Sequence, residues 1–319
     1  MEHAETIRLL NGDLCDEHGA IIFYLRIAYQ LEDAGMAASL ESIARDEMRH
    51  YKWLAEEVVR LGGVPTTERA PEPQSGPSAL ARLQAALQRE THAIETYTAH
   101  AQAVGDGRTA MLLQRIASDE QHHLQKFQRL VQTLEESAEP LPQETTEGVV
   151  ENAPPALEPV QQDVNVEYTT VLQYLLQSFL TPECPLSKDL QDQAVIEMKH
   201  MGWLAEHMAE AGVEPQMELG AIDHSRDPQQ ILQTNIQLEV AVEEMYRRQL
   251  ENVEDRNLRG LLSRVLEHSV YHEAHFRDLL ADLQAQSARK PSVAASPVPS
   301  SRPAGWTVGS LLGRKQYDA

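Results

Sequence analysis

The sequence predicts an all-α protein: two tandem four-helix bundles followed by a disordered C-terminal tail. Three observations carry this. A Glu is followed seven residues later by a Tyr four times, at Glu17/Tyr24, Glu90/Tyr97, Glu167/Tyr174 and Glu239/Tyr246. A Glu-x-x-His motif begins 30 residues after the first three of these Glu, at Glu47/His50, Glu120/His123 and Glu197/His200; the fourth copy keeps His272 and has Ser269 in place of Glu. The chain also repeats itself at an offset of 150 and then 149, so that residues 47–58 match residues 197–208 at seven of twelve positions.

Each unit reads as four amphipathic helices of period 3.6. The first helix, about 4–34, carries the stripe Leu14, Glu17, Ile21, Tyr24, Leu31. The second, about 37–61, carries Ile43, Glu47, His50, Leu54, Leu61. The third, about 78–104, carries Leu83, Leu87, Glu90, Ile94, Tyr97. The fourth, about 108–135, carries Leu113, Ile116, Glu120, His123, Phe127, Leu130, Leu134. The second unit repeats the pattern at about 164–181, 187–212, 228–254 and 257–286. Helix breakers fall between these spans: Gly35, Gly62-Gly63 with Pro65, Gly105 and Gly107, then Pro182, Pro185, Gly212 and Pro228. The second-to-third connection is the long one in both units, as a crossover needs, and the other connections suit antiparallel hairpins. Trp53 and Trp203 read as core. The chain divides into a first bundle (1–135), an acidic linker (136–163), a second bundle (164–287), an Ala/Ser/Pro-rich disordered stretch (288–304) and a short apolar terminal segment (305–319).

Residues at i, i+3, i+4 and i+7 share a helix face, so the four Glu of the first unit stand at core positions. A buried carboxylate without a partner costs several kcal/mol or takes up a proton. Four in one core call for a shared counter-charge, and two divalent cations balance them. Oxygen and imidazole donors suit Fe, and also Mn, two ions per complete site. The candidate metal ligands of the first unit are Glu17, Glu47, His50, Glu90, Glu120 and His123. Tyr24 is the candidate for a redox role beside them; core packing with a hydroxyl partner is the alternative reading. In the second unit one carboxylate is lost at Ser269. Glu243 stands one turn beyond Glu239, where the other copies have Ile21, Ile94 and Val171. Glu167, Glu197, His200, Glu239, Glu243 and His272 would then again give four carboxylates and two imidazoles; alternatively Glu243 pairs with Arg247. His268 and His275 read as surface residues.

The formal net charge of −22 over 319 residues argues against nucleic acid and against an anionic membrane surface. Two cysteines, Cys15 and Cys184, make neither a disulfide framework nor a zinc set, which fits a reducing cytosol. The N-terminal residues have no signal-peptide pattern, and no apolar run reaches the ~18 residues a membrane span needs.

The segments DEMRHYKWLAEEVVRLGGVP (46–65) and ASDEQHH (117–123) resemble the ferritin-like di-iron superfamily, most closely its bacterioferritin and rubrerythrin branches. The resemblance spans nearly all of the first unit and, more loosely, 164–286. It implies that Glu47 and Glu120 bridge the metals, with Glu17 and His50 completing one iron and Glu90 and His123 the other. Members ordinarily have one bundle per chain, so the duplication implies an intrachain contact in place of a homodimer contact; a homo-oligomer remains an expectation. TVGSLLGR (307–314) is similar to the C-terminal cargo-loading peptides that dock enzymes inside encapsulin nanocompartments; Val308, Gly309, Leu311 and Leu312 would make the docking contacts. The function implied is a cytoplasmic ferroxidase inside an encapsulin shell, oxidising Fe(II) with O2 or peroxide for iron storage. Alternatives are a rubrerythrin-like peroxide reductase, a manganese catalase, and a non-catalytic iron-binding cargo or adaptor.

Overall fold

The computed structural model describes residues 3–31, 33–73, 78–136, 157–181 and 184–289. Among these residues there are eight helices: α1 His3–Gln30, α2 Ala34–Arg60, α3 Ala79–Ala103, α4 Gly107–Glu136, α5 Glu158–Leu180, α6 Cys184–Glu210, α7 Pro228–Asn252 and α8 Arg256–Arg289. The expected terminal peptide, with Val308, Gly309, Leu311 and Leu312, lies outside the described residues, as does most of the acidic linker.

Helix ends follow local chemistry. Asp33 caps α2 by accepting from the Met36 N–H at 2.8 Å, and Ser78 caps α3 by accepting from the Ala81 N–H at 3.2 Å. α2 and α6 end alike, on glycines of positive φ, Gly62 (86°) and Gly212 (75°), whose turns return the next N–H to Val58 and Met208. α5 starts six residues ahead of the expected 164. Val160 and Val164 extend the buried stripe of Glu167 backwards, and Pro159 in the first turn lacks an N–H that would have no partner there. Trp53 and Trp203 are partly buried rather than core. Each flanks a motif histidine, with ring centroids 5.9 Å from His50 and 5.8 Å from His200, and each carries an arginine on its ring face.

The helices pack most extensively as the hairpins α1/α2, α3/α4, α5/α6 and α7/α8. Side-chain register fixes the rest of the topology. Tyr24 meets Glu90 and Tyr97 meets Glu17, so advancing along α1 means receding along α3. The two are antiparallel, which leaves α2 parallel to α3. The connection after α2 must therefore return the length of the bundle, and it lies along α1: Ala70 N–H donates to Cys15 O at 2.9 Å and Thr66 N–H to Asn11 Oδ1 at 2.9 Å. In the second unit Gln216, Glu218 and Gly220 lie along α5 in the same way.

The units meet through α1 with α6 and α2 with α5, contacts that the repeat exchanges with one another. Tyr168 OH lies 2.6 Å from His18 Nε2, Lys52 Nζ donates to Gln191 at 2.9 Å, and Glu214 pairs with Arg26 and Arg82. A largely apolar cavity of about 460 Å³ lies between the units; Met48 and Met198, equivalent by the repeat, both line it. Among the described residues no helix is long and apolar enough to cross a membrane.

Candidate metal centre

Each helix of the first unit delivers one acidic side chain to the bundle axis because that residue replaces an apolar one on its buried stripe. Glu17, Glu47, Glu90 and Glu120 are at most 4 % exposed, and His50 and His123 at most 1 %. Their ligand atoms form two overlapping groups: Glu17, Glu47, His50 and Glu120, and Glu47, Glu90, Glu120 and His123. Glu47 approaches His50 Nδ1 at 2.9 Å and His123 Nδ1 at 3.0 Å; Glu120 approaches them at 3.0 and 2.9 Å. Glu17 reaches only His50 (3.7 Å) and Glu90 only His123 (3.8 Å). Two carboxylates are thus shared and two are terminal.

The electrostatics follow from burial. Burial, then the Glu47 charge, raises the Glu17 carboxyl to about 8. Burial also raises Glu90, with the charges of Glu47 and Glu120 adding to it. Glu47 goes the other way, to about 2, because His123 and His50 outweigh its burial. Burial opposes protonation of His123, but Glu47 and Glu120 lift it to about 11. His50 is raised likewise by Glu17, Glu120 and Glu47. A ring Nδ1 carries at most one proton, yet each faces three carboxylates. Glu47 Oε1, Glu120 Oε1 and Glu90 Oε2 are buried without hydrogen-bond partners. Lone pairs converging on common points, from hard oxygens and imidazole, fit a pair of divalent first-row cations.

A second layer holds the rings. His123 Nε2 lies 3.2 Å from Asp46 Oδ2 and His50 Nε2 lies 3.5 Å from Asp119 Oδ2. Each Asp precedes the motif Glu of the facing helix. Such carboxylates orient a ligand ring and raise its basicity. Sequence reasoning missed them, although the doublet Asp-Glu in both motifs carried the signal. Tyr24 is fully buried and donates to Glu90, while Tyr97 donates to Glu17. A crevice of about 70 Å³ between α1 and α3 reaches the four Glu, with Asp13, Asp16 and His92 along its walls.

The second unit brings together Glu167, Glu197 and His200, and Glu197, Glu239 and His272. Tyr174 donates to Glu239 and Tyr246 to Glu167, both at 2.5 Å. Glu243 is not brought in. It is half-buried and accepts from Arg247 at 2.8 Å, one turn along its own helix. In this arrangement Glu243 takes the other reading the sequence allows, the pair with Arg247, and does not stand in the place of the carboxylate lost at Ser269. His268, read as a surface residue, lies with Nδ1 2.7 Å from His200 Nε2. His275 faces Asp189 at 3.5 Å, away from the cluster.

A four-helix bundle whose buried carboxylates and histidines interleave around two adjacent cation positions defines the class of carboxylate-bridged two-metal bundle proteins. The ferritin-like domain family matches residues 7–137 and 158–285, and the chain belongs to that family, with two copies in tandem. It is 33% identical over 133 residues to a bacterioferritin of Desulfovibrio desulfuricans, a match covering 40% of this chain and 74% of that one. The solved bacterioferritin of Desulfovibrio desulfuricans, described as having a diiron site in different catalytic states, is 31% identical with a TM-score of 0.41, covering 43% of this chain and 84% of that one. A ferritin-like diiron-carboxylate protein from Bacillus anthracis is 29% identical with a TM-score of 0.38, covering 41% and 99% respectively.

Proposed function

We propose that this protein is a ferroxidase whose first unit oxidises Fe(II) in pairs. The observation that carries the reading is the geometry of Glu47 and Glu120: both are buried, and each reaches both histidines, so each can serve two ions at once. Glu17 with His50 would complete one position and Glu90 with His123 the other. Fe(II) is the substrate. Each ion gives up one electron, and the pair passes to O2, which takes two protons and leaves as hydrogen peroxide, or to peroxide, which leaves as two waters. A paired transfer avoids free superoxide. Four carboxylates balance two divalent ions, and hard anionic donors favour the ferric product. Asp46, 3.2 Å from His123 Nε2, and Asp119, 3.5 Å from His50 Nε2, would keep the rings with Nδ1 toward bound ions. Tyr24 and Tyr97 donate to the terminal Glu90 and Glu17 and fix these two carboxylates.

The tail TVGSLLGR supports delivery of the chain into an encapsulin shell in the cytoplasm, where ferric iron would be stored; a single 35.7 kDa chain encloses no mineral cavity of its own. Glu47→Ala and Glu120→Ala each remove a shared carboxylate, and each is expected to abolish rapid Fe(II) oxidation, followed by O2 uptake and ferric absorbance. Both variants oxidising at the parent rate would overturn the assignment.

A further inference from the structure

The two centres differ in ways that point to different handling of the bound ion. Opposite Glu120 stands Ser269, 1% exposed, its Oγ donating to Val265 O at 3.3 Å. Opposite Asp119 stands His268, so the outer nitrogen of His200 meets an imidazole in place of a carboxylate. Opposite Asp46 stands Ile196, and His272 Nε2, buried without a hydrogen-bond partner as His50 Nε2 is, lacks the carboxylate that His50 Nε2 has at 3.5 Å. The ligand set falls from four carboxylates to three, and the carboxylates behind the rings from two to none.

A site nevertheless remains. Glu197 reaches His200 Nδ1 at 2.7 Å and His272 Nδ1 at 2.6 Å, with Glu167 and Glu239 at 3.5 and 3.4 Å from the respective rings. Glu197 Oε1 is 2.6 Å from its imidazole without hydrogen-bond geometry and has no other partner, as expected of lone pairs aimed at a common ion. Fewer anionic donors weaken the hold on a trivalent ion more than on a divalent one, because the Coulomb term scales with the ion's charge.

Access differs too. The crevice of the first unit is walled by Asp16, Arg89, Ala93 and Thr96. The repeat puts Val166, Leu238, Val242 and Met245 at these places. Val242 is buried, and the other three pack against the core. Where the first unit's crevice runs to its carboxylates, the second unit has apolar side chains, and the hollow of about 340 Å³ that Val166 and Leu238 line includes none of its ligands.

We propose that the second unit's centre is a closed site for a divalent first-row cation, which it exchanges slowly and retains while the first unit's centre exchanges freely. The proposal rests on the ferroxidase reading only in taking the first centre as an open cation site. The full-length protein is equilibrated with Co(II) and chased with excess chelator, and release is followed by Co(II) ligand-field absorbance and by metal analysis after desalting. Two phases are expected, the slow one at least tenfold slower. Glu47→Ala removes the fast phase and leaves the slow one; Glu197→Ala, and the isosteric Glu197→Gln, remove the slow phase while circular dichroism shows the helices intact. Val166→Asp with Met245→Thr restores first-unit residue types to the crevice and is expected to speed the slow phase at least fivefold. A single phase, a slow phase that survives both Glu197 variants, or a slow phase unmoved by the double variant overturns the proposal. O2 uptake on Fe(II) addition reports on the first centre separately: its absence with the slow phase intact removes the ferroxidase reading and leaves this one standing.

Discussion

Tyr24 sits seven residues from Glu17 but serves Glu90, and Tyr97 returns the exchange to Glu17. Seven residues are two turns, ~10.5 Å of rise, so each Tyr lies too far along its own helix to reach its own Glu, while an antiparallel neighbour brings the two level. The residues were legible as a repeated motif; the exchange between helices was not, because it depends on register. The metal-ligand candidates were legible for a related reason, since each interrupts an apolar stripe. Asp46, Asp119 and His268 lie off that stripe, where a polar residue is expected anyway, and only contact with a ring nitrogen distinguishes them. Tyr24→Phe removes a buried donor to Glu90 and is expected to cost about 1–3 kcal/mol in denaturant melts, leaving the Co(II) count of the first centre unchanged. The raised groups set the pH dependence. Glu17, moved from 4.5 to about 8, keeps its proton in the metal-free fold where the unfolded chain loses it. Its contribution to stability is present below pH 4.5 and is lost as pH rises through about 8. A cation takes the place of those protons, so affinity rises over the same interval. Co(II) titrations are expected to tighten at least about tenfold from pH 6 to 8, while the melting temperature of metal-free protein falls. Affinity independent of pH would exclude these carboxyls as ligands.

Helices were the most legible level, because period, breakers and stripes agreed. The long connection after α2 announced the crossover that parallel α2 and α3 require. The start of α5 was missed because acidic residues around Pro159 look like linker, and only Val160 and Val164, both buried, show that the stripe continues. The crevice between α1 and α3 belongs to this scale as well, since no single residue makes it. Its walls include the short side chains Ala20, Ala93 and Thr96, facing each other across two antiparallel helices. Ala93→Val with Thr96→Met copies the second unit's packing into the first. Fe(II) oxidation is expected to slow several-fold, with the equilibrium cation count preserved, because the ligands stay and only the path narrows. Unchanged stopped-flow rates in that variant would show that ions reach the centre by another route. A cap test separates path from fold: Asp33→Ala removes the acceptor for the Met36 N–H and is expected to lower stability by about 1 kcal/mol in a thermal melt.

At the scale of the molecule, duplication places two copies of one surface in a single chain. The α1/α6 and α2/α5 contacts exchange under the repeat, the pattern of a two-fold interface made within one polypeptide. Fusion removes the need for identical halves, so one centre can diverge while the other keeps its full ligand set. The remaining segment with an assignable task is the terminus. The Pro/Ser-rich composition of residues 288–304 is that of a linker, and a flexible linker of about 16 residues would reach roughly 20–24 Å by root-mean-square distance, enough to separate a bundle from a wall to which the tip docked. Under the proposed docking, Val308, Leu311 and Leu312 would fill an apolar groove, and Gly309 would permit close approach of the backbone. None of these residues belongs to either metal centre, so docking and oxidation should separate cleanly. Deleting residues 305–319 is expected to leave the Fe(II) oxidation rate of the purified protein unchanged and to abolish co-purification with a co-expressed encapsulin shell. Substituting Leu311 and Leu312 together with Asp should reproduce the deletion without shortening the chain. Retention in the shell by either variant would mean that the bundles themselves make the contact, and the tail would lose its assignment.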